Sequence, residues 1–270
     1  MRALLLLFCL VTFISCSEDF RKITAISEIS GLWEGEKGSL LIDTDEMTTT
    51  EVNSKIRALM AEGYGTIVLK NPRGKHSLGV GILSRLNLII EGSLGYFGVG
   101  LIDGPNVRIN GRVGWSCGEN MMAGTIVVEK NAGSTFGAAL RGGDLVARGS
   151  VGSRTGIDQK GGTIIVGGDT GALSGFMMQR GRMVVCGNAG KDLGDSMYDG
   201  TIYVGGEIKS CGVDAVPGEL TDLDKAWLTR KLTQYGLLPD KGVDHFKKVV
   251  AGRMLWNYDN LEPSEKKLIL

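Results

Sequence analysis

The stretch that decides the fold runs from Thr125 to Gly200 and reads TIVVEKNAGSTFGAALRGG, DLVARGSVGSRTGIDQKGG, TIIVGGDTGALSGFMMQRG and RMVVCGNAGKDLGDSMYDG. Each of these four units has 19 residues, and their glycines fall in the same columns. Two further units precede them, at 87–104 and 106–124, with Pro105 as an extra residue between, and a looser unit follows at 201–218. Seven units of constant period indicate a solenoid, in which each repeat packs only against its neighbours.

The residues between the glycines are typical of short β-strands. The strand that opens each unit is apolar at its second and fourth positions, which lie on the same face of a strand. These two inner columns are Ile126, Leu145, Ile164, Met183 and Ile202, then Val128, Ala147, Val166, Val185 and Val204. A third inner column, further along each unit, is Val113, Ala132, Val151, Thr170, Ala189 and Ile208. Nineteen residues cannot hold two helices and a turn, so we predict three short strands per unit, with glycine at the corners to permit positive φ.

The fold class that follows is all-β: a single-stranded right-handed parallel β-helix of about seven 19-residue coils, with short helical caps. Two other solenoids of similar period do not fit. Calcium-binding repeats need an aspartate column, but Asp144, Asp169 and Asp195 fall in three different columns. Hexapeptide acyltransferases are built around a catalytic histidine, but His76 and His245 lie outside the glycine array.

The flanking segments give the domain organisation. Residues 1–17 are a hydrophobic leader that reads as a signal peptide or a miscalled start, and residues 18–40 a linker. Residues 41–86 form an N-terminal helix and a first coil, 87–219 the β-helix, and 220–270 a C-terminal helix and docking tail. Thr48 with Glu51, and Thr221 with Asp224, have the spacing of helix-capping boxes.

Composition speaks against a self-sufficient enzyme. Lysine plus arginine and aspartate plus glutamate both number 30, so no net charge favours nucleic acid, and the two histidines leave few acid–base groups. Beyond the leader the cysteines are Cys117, Cys186 and Cys211, an odd number without a C-x-x-C pair. They suit a reducing compartment, so we expect a cytoplasmic protein; export or lipid anchoring through residues 1–17 is the alternative.

The third strand position faces outward and yet is apolar. This outer column consists of Val127, Val146, Ile165, Val184 and Tyr203. An outward strand face is normally polar, so the column is either an interface with a partner protein or the surface on which the C-terminal tail lies. A polar ladder at Asn131, Ser150, Asp169 and Asn188 is expected to supply hydrogen bonds at the corners, and a short basic edge is formed by Arg141, Lys160, Gln179 and Arg180.

Several motifs resemble one known family. They are Asn71-Pro72-Arg73-Gly74-Lys75-His76, Gly118-Glu119-Asn120-Met121-Met122-Ala123-Gly124, Gly194-Asp195-Ser196-Met197-Tyr198-Asp199-Gly200, and the tail from Phe246 to Arg253 and Leu255-Trp256-Asn257. Together with the repeat they resemble the C-terminal GXGXG β-helix domain of the glutamate synthase large subunit. They are most similar to the stand-alone glutamate-synthase-like subunit of methylamine–glutamate N-methyltransferase (methylglutamate synthase).

The resemblance implies a role without chemistry of its own. In such enzymes a glutamine-amidotransferase-like part and an FMN and iron–sulfur part make glutamate or methylglutamate, and the β-helix is a scaffold between them. We therefore expect no catalytic, cofactor-binding or metal-binding residues in this chain, with FMN and the iron–sulfur cluster in partner subunits. Two alternatives stay open: an exported or lipid-anchored β-helix that binds a protein or a glycan, and a C-type subunit of formylmethanofuran dehydrogenase.

Overall fold

A single sheet of eleven strands runs through the described part of the chain, residues 37–252, in the computed structural model. The strands are β1 (Lys37–Asp43), β2 (Tyr64–Lys70), β3 (Asn87–Glu91), β4 (Asp103–Ile109), β5 (Ala123–Val128), β6 (Asp144–Ala147), β7 (Lys160–Val166), β8 (Arg180–Val185), β9 (Thr201–Val204), β10 (Ala215–Gly218) and β11 (Lys247–Ala251). Neighbouring strands from β1 to β9 are parallel, and they follow each other in chain order. The predicted parallel β-helix of about seven turns is therefore confirmed.

Each coil has one regular strand rather than the three that the sequence suggested. A second side contributes only isolated bridges, such as Val113 with Ala132, and a third consists of consecutive turns. On this turn side, residues of left-handed conformation alternate with others, as at Ser116 (φ 56°), Gly118 (φ 69°) and Asn120 (φ 53°). Because an extended strand cannot contain such residues, the side that begins at Ser116 turns repeatedly instead of forming a ladder.

The three predicted inner columns form the core. Both columns on the strand side are fully buried, from Ile126 to Ile202 and from Val128 to Val204. The bridge-side column is buried from Val113 to Ala189, and Ile208 at its end packs against the core in a partly buried position. Side chains thus fill the interior of the coil, and burial of apolar surface stabilises the stack.

Glycine has two different roles in the repeat. Gly124 adopts φ 102°, which other residues rarely reach, as predicted for a corner. Gly190 has no such φ; a Cβ placed on it would lie 2.6 Å from the carbonyl carbon of Gly171 in the preceding coil. The series to which Gly190 belongs therefore serves close approach of successive coils, and the expectation of positive φ is wrong there.

The polar ladder is confirmed. Each side chain accepts a hydrogen bond from the backbone N–H of the corresponding residue in the next coil: Ser150 N donates to Asn131 Oδ1 (3.1 Å) and Asp169 N to Ser150 Oγ (3.1 Å). Asn188 N donates to Asp169 Oδ1 (2.6 Å), and the ladder ends where Glu207 N donates to Asn188 Oδ1 (2.8 Å). These bonds satisfy backbone donors at a corner where no strand ladder does so.

Two helices flank the sheet in the described part of the chain: α1 (Thr49–Ala61) and α2 (Asp222–Gln234). Both predicted capping boxes are present; Thr48 with Glu51 begins α1, and Thr221 with Asp224 begins α2. After α2 the chain returns as β11, which inserts antiparallel between β9 and β10.

The sheet extends beyond the predicted limits of the β-helix at residues 87–219. Strand β1 begins at Lys37, inside the segment predicted as a linker, and β2 pairs with β3 in regular parallel register from Thr66. The predicted leader at 1–17, the rest of the linker up to residue 36, and the tail beyond residue 252 lie outside the described residues.

Candidate interaction surface

The outer column lies on the face of the sheet that points away from the coil interior. Its members are in direct register from strand to strand: Val127 pairs with Val146, Val146 with Ile165, Ile165 with Val184, and Val184 with Tyr203. All five side chains are at most 1% exposed, although none belongs to the core cluster inside the coils. Another layer must therefore cover them.

That layer is the chain's own C-terminal segment, with helix α2 as its main part. Leu228 and Leu232, on the buried side of α2, are fully enclosed, and the Trp227 ring lies 5.7 Å from the Tyr203 ring, centre to centre. A Cβ on Gly167 would lie 3.0 Å from Leu237, so the segment after α2 also contacts the sheet. Of the two alternatives for the column, the structure displays coverage by the C-terminal segment; contact with a partner protein stays a prediction.

A half-buried carboxylate fixes the start of α2 to strand β9. Tyr203 donates a hydrogen bond from its hydroxyl to Asp224 Oδ1 (2.6 Å), and Lys248 Nζ lies 2.8 Å from Asp224 Oδ2. Burial alone raises the pKa of Asp224, but hydrogen bonds from Lys248, Tyr203 and Thr221 outweigh it and hold that pKa well below its ordinary value. Burial, then the bond to Asp224, raises the pKa of Tyr203. Asp224 is thus a charged clamp between α2, β9 and β11.

A second carboxylate fixes the end of α2 to strand β6. Asp144 Oδ2 accepts hydrogen bonds from Lys231 Nζ (2.5 Å) and from the Tyr235 hydroxyl (2.6 Å). Burial raises the pKa of Tyr235, and the negative charge of Asp144 raises it further, so Tyr235 stays protonated and donates. Asp144 opens the second repeat unit of the deciding stretch, and its contact with Tyr235 joins positions 91 residues apart in the chain.

Beyond the end of α2, charged residues continue the outer face of the sheet. Glu129 lies 3.1 Å from Arg108 and 3.1 Å from Arg148, and all three side chains are at most 30% exposed. Ion pairs that are partly withdrawn from water and share one carboxylate orient each other more than isolated surface pairs do. The network therefore borders the outer column next to Val127, with which Arg108 is in register.

The family model for the GXGXG motif matches residues 64–268, about three quarters of the chain. The chain belongs to the GXGXG motif family. The family corresponds to the C-terminal region of the glutamate synthase large subunit. A search of curated proteins finds no match to the chain.

The glycine columns explain why this GXGXG chain can stack its coils so closely. A Cβ on Gly149 would lie 2.1 Å from Asn131 Oδ1, and one on Gly187 would lie 2.3 Å from Asp169 Oδ1. These glycines thus leave space for the acceptor of the polar ladder in the preceding coil. The GXGXG spacing, close packing and corner hydrogen bonds are parts of a single arrangement.

The three cysteines in residues 37–252 lie in different surroundings, whereas an iron–sulfur cluster requires several cysteines around one centre. Cys117 is buried in the core, Cys186 lies 4.0 Å from the Leu237 carbonyl beneath the C-terminal segment, and Cys211 is exposed. Burial raises the pKa of Cys117 to about 12 and that of Cys186 to about 11, so both thiols stay protonated. Within residues 37–252, no three His, Cys, Asp or Glu side chains are grouped so that they could hold a metal ion.

One surface of the domain was missed by the reading of the sequence. Five large apolar side chains, each at least 40% exposed, lie on the turn side of neighbouring coils: Leu83, Tyr96, Leu101, Trp115 and Met122. We call this set the exposed patch. The sequence held a signal for it, because the residue after the glycine of the Gly95, Gly114, Gly133 and Gly152 column is Tyr96 and Trp115 in two units but Ser134 and Ser153 in the next two.

The basic edge lies beside this patch. Lys160 pairs with Asp158, which also accepts a hydrogen bond from Gln179 (2.6 Å), whereas Arg141 and Arg180 are exposed.

Neither helix in residues 37–252 is long and apolar enough to cross a membrane.

Proposed function

We propose that this chain is a non-catalytic scaffold subunit of a multi-subunit complex that resembles glutamate synthase. The observation that carries the proposal is the GXGXG family match over residues 64–268. In the proposed complex, a glutamine-amidotransferase-like subunit releases ammonia and an FMN-dependent subunit uses it to make glutamate or methylglutamate. FMN and the iron–sulfur cluster belong to these partners.

The interior of the coil supports a role without catalysis. Apolar side chains fill it, from Ile126 to Ile202 along one column. The strongly perturbed acids and phenols of the described residues, Asp224, Tyr203 and Tyr235, are engaged in holding α2 against the sheet. Groups that are satisfied by structural partners are poorly placed for proton transfer to a substrate.

The finer identity of the complex rests on the motifs already quoted. The run Asn71-Pro72-Arg73-Gly74-Lys75-His76 and the tail from Phe246 to Arg253 are most similar to the stand-alone subunit of methylamine–glutamate N-methyltransferase. We therefore favour methylglutamate over glutamate as the product. The three unpaired thiols suit the cytoplasm, and we place the complex there.

Reconstitution tests the proposal. The full chain is co-expressed with the amidotransferase-like and FMN-dependent subunits of its own organism, and the three are purified through a tag on this chain. We expect a complex with flavin absorbance that forms glutamate or methylglutamate, whereas this chain alone shows neither absorbance nor turnover. The matched control omits this chain, and the remaining two subunits should then fail to copurify.

Three results would contradict the proposal: turnover by the purified chain alone, failure of the two subunits to copurify with it, or copurification with formylmethanofuran dehydrogenase subunits instead. N-terminal sequencing of the protein from its host adds an independent check. A mature chain that begins at Cys16 or close to it would favour the exported alternative.

A further inference from the structure

The exposed patch concentrates apolar surface on the turn side of the coils between β2 and β5. It holds five of the ten large exposed apolar side chains in residues 37–252, and its most exposed member, Trp115, is 69% accessible. Large apolar side chains that are exposed close to one another on a monomeric protein often mark an interaction surface. Tryptophan, tyrosine and methionine are also the residue types enriched at the centres of protein interfaces.

Backbone hydrogen bonds between coils place members of the patch side by side. Phe97 N donates to the carbonyl of Trp115 (2.7 Å), which sets Tyr96 and Trp115 on neighbouring coils. Met122 N donates to the Ile102 carbonyl (2.8 Å), so Met122 lies beside the coil of Leu101. Neighbouring coils are ~4.8 Å apart, so Tyr96 lies beside Trp115 and Leu101 beside Met122, which gives two apolar clusters on the turn side of the same coils.

The aromatic members are held in place before any partner binds. The Tyr96 ring stacks on His76 with ring centres 4.1 Å apart, and Tyr96 N donates to His76 Nδ1 (3.1 Å). The Trp115 ring lies over the next coil, since a Cβ on Gly133 would be 2.6 Å from its Cδ1. Rings fixed in this way lose little conformational entropy on binding.

The charges around the patch specify its partner. Four cations lie close to the patch. Arg85 is two residues from Leu83, Arg112 is three residues from Trp115, and Lys75 precedes His76, on which Tyr96 stacks. Arg141 lies one coil from Met122, because its N–H donates to the Met121 carbonyl. None of these four cations forms an ion pair with a described residue, whereas Asp103 and Glu119 are the acids nearby. The rim is therefore cationic and complements a carboxylate-rich surface.

We infer that the exposed patch docks a partner protein whose contact surface has an apolar centre surrounded by aspartate and glutamate side chains. This inference rests on the proposed function and names the surface through which the scaffold holds one of its subunits. A second copy of this chain is disfavoured, because a two-fold contact through the patch would bring the same four cations against each other.

Photo-crosslinking in the native host tests the inference directly. A photoreactive phenylalanine analogue replaces Trp115 in the full chain, and mass spectrometry identifies the peptide to which it is joined. We expect a peptide of another protein that carries apolar residues flanked by carboxylates. The matched control places the analogue at Ser153, two units further along in the same column, where we expect no such product.

Substitution gives the second measurement. The variant Trp115→Ser with Tyr96→Ser replaces two aromatic residues by serine. The next two units already have serine in this column, at Ser134 and Ser153, so the variant should fold. Recovery of the partner with the tagged chain should fall by about tenfold or more, since such side chains dominate interface energies. Arg112→Glu with Arg141→Glu should reduce recovery as well. Leu223→Ser, which removes an apolar side chain that is 84% exposed on α2, should leave recovery unchanged.

The outcomes separate the inference from the proposed function. If the wild-type chain recovers both subunits and the Trp115 and Tyr96 variant recovers them equally well, the inference is wrong and the proposed function stands. If the wild-type chain recovers neither, the proposed function fails, and the crosslink at Trp115 decides the inference alone. Crosslinks to another copy of this chain or to its own termini, or no crosslink at all, would overturn it.

Discussion

Gly190 illustrates how little space separates successive coils. A Cβ added to Gly190 would lie 2.6 Å from the carbonyl carbon of Gly171 and 2.7 Å from the backbone nitrogen of Ala172. Backbone cannot move aside as the end of a flexible side chain can, so a methyl group there must push two coils apart. The requirement at Gly190 comes from packing between coils and not from its own φ.

Gly190→Ala should therefore lower the free energy of unfolding by about 2 kcal/mol or more, because overpacking strains a close-packed contact. Gly38→Ala is the matched control; nothing lies within 4 Å of its Cβ position in strand β1, and it should be neutral within about 0.5 kcal/mol. Urea denaturation followed by circular dichroism measures both. Equal stability of the two variants would show that the coils are looser than the structure has them.

Asp224 makes stability depend on pH in a predictable direction. Its pKa is lowered in the folded protein, so its contribution is fully present above the ordinary value of 3.8 and is lost as pH falls below that value. Asp224→Asn should lower the free energy of unfolding by about 1–3 kcal/mol near neutral pH, with a smaller difference from wild type near about pH 3. Asp222→Asn, in the same turn but fully exposed, should change it by less than about 0.5 kcal/mol. A difference from wild type that is constant with pH would contradict this role for Asp224.

Helix α2 depends on one of its sides only. Leu228 and Leu232 are fully buried and Tyr235 is nearly so, one helical turn apart, whereas Leu223 is 84% exposed. Leu223 lies roughly 140° around the helix from Leu228 at 100° per residue, which is why it cannot reach the sheet. Leu223 therefore lies outside the buried side of α2, although it is as apolar as Leu228.

Leu228→Ala should lower the free energy of unfolding by about 2–5 kcal/mol, since it leaves a cavity between α2 and the outer column. The matched control Leu223→Ala removes the same atoms from an exposed position and should change it by less than about 0.5 kcal/mol. Denaturant titration of both variants measures the difference. Hydrogen exchange should also become faster in α2 of Leu228→Ala, and similar losses in the two variants would mean that α2 does not rest on Val146 and Ile165.

The elements that repeat were accessible from sequence, and those that do not repeat were not. Inner columns such as Ile126 to Ile202 follow from period and alternation, and the ladder at Asn131 follows from side-chain chemistry at a corner. The segment that covers Val146 is α2, which packs on coils some 80 residues earlier in the chain. The repeat pattern contains no information about that contact. The turn side was not predicted, because residues such as Leu173 (φ 58°) adopt left-handed conformations although their side chains do not favour them.

At the scale of the molecule, the length of α2 matches the distance across a fixed number of coils. Asp224 and Tyr235 are eleven residues apart, a rise of about 16 Å along a helix, and three strand spacings from β9 to β6 amount to about 14 Å. The anchors at Tyr203 and Asp144 can be engaged together only when this match holds.

Deleting residues 163–181 removes one complete coil between the two anchors. The strand separation then falls to about 10 Å, so α2 can satisfy only one anchor, and the unfolding midpoint should drop by more than that of a chain lacking residues 106–124. The second deletion has the same length and lies before Asp144. Thermal scans by circular dichroism compare the two, and equal midpoints would show that α2 does not tie β9 to β6.

Strand β11 reverses direction at the end of the sheet, and β10 beyond it carries Pro217. A parallel stack ending at β9 would offer another molecule's first strand the same hydrogen-bonding pattern that its own coils use, and growth could continue without limit. The reversed strand breaks that pattern, and proline removes a donor from the outermost edge. The molecule can therefore be rich in repeating β-structure and still remain a discrete particle instead of a fibre.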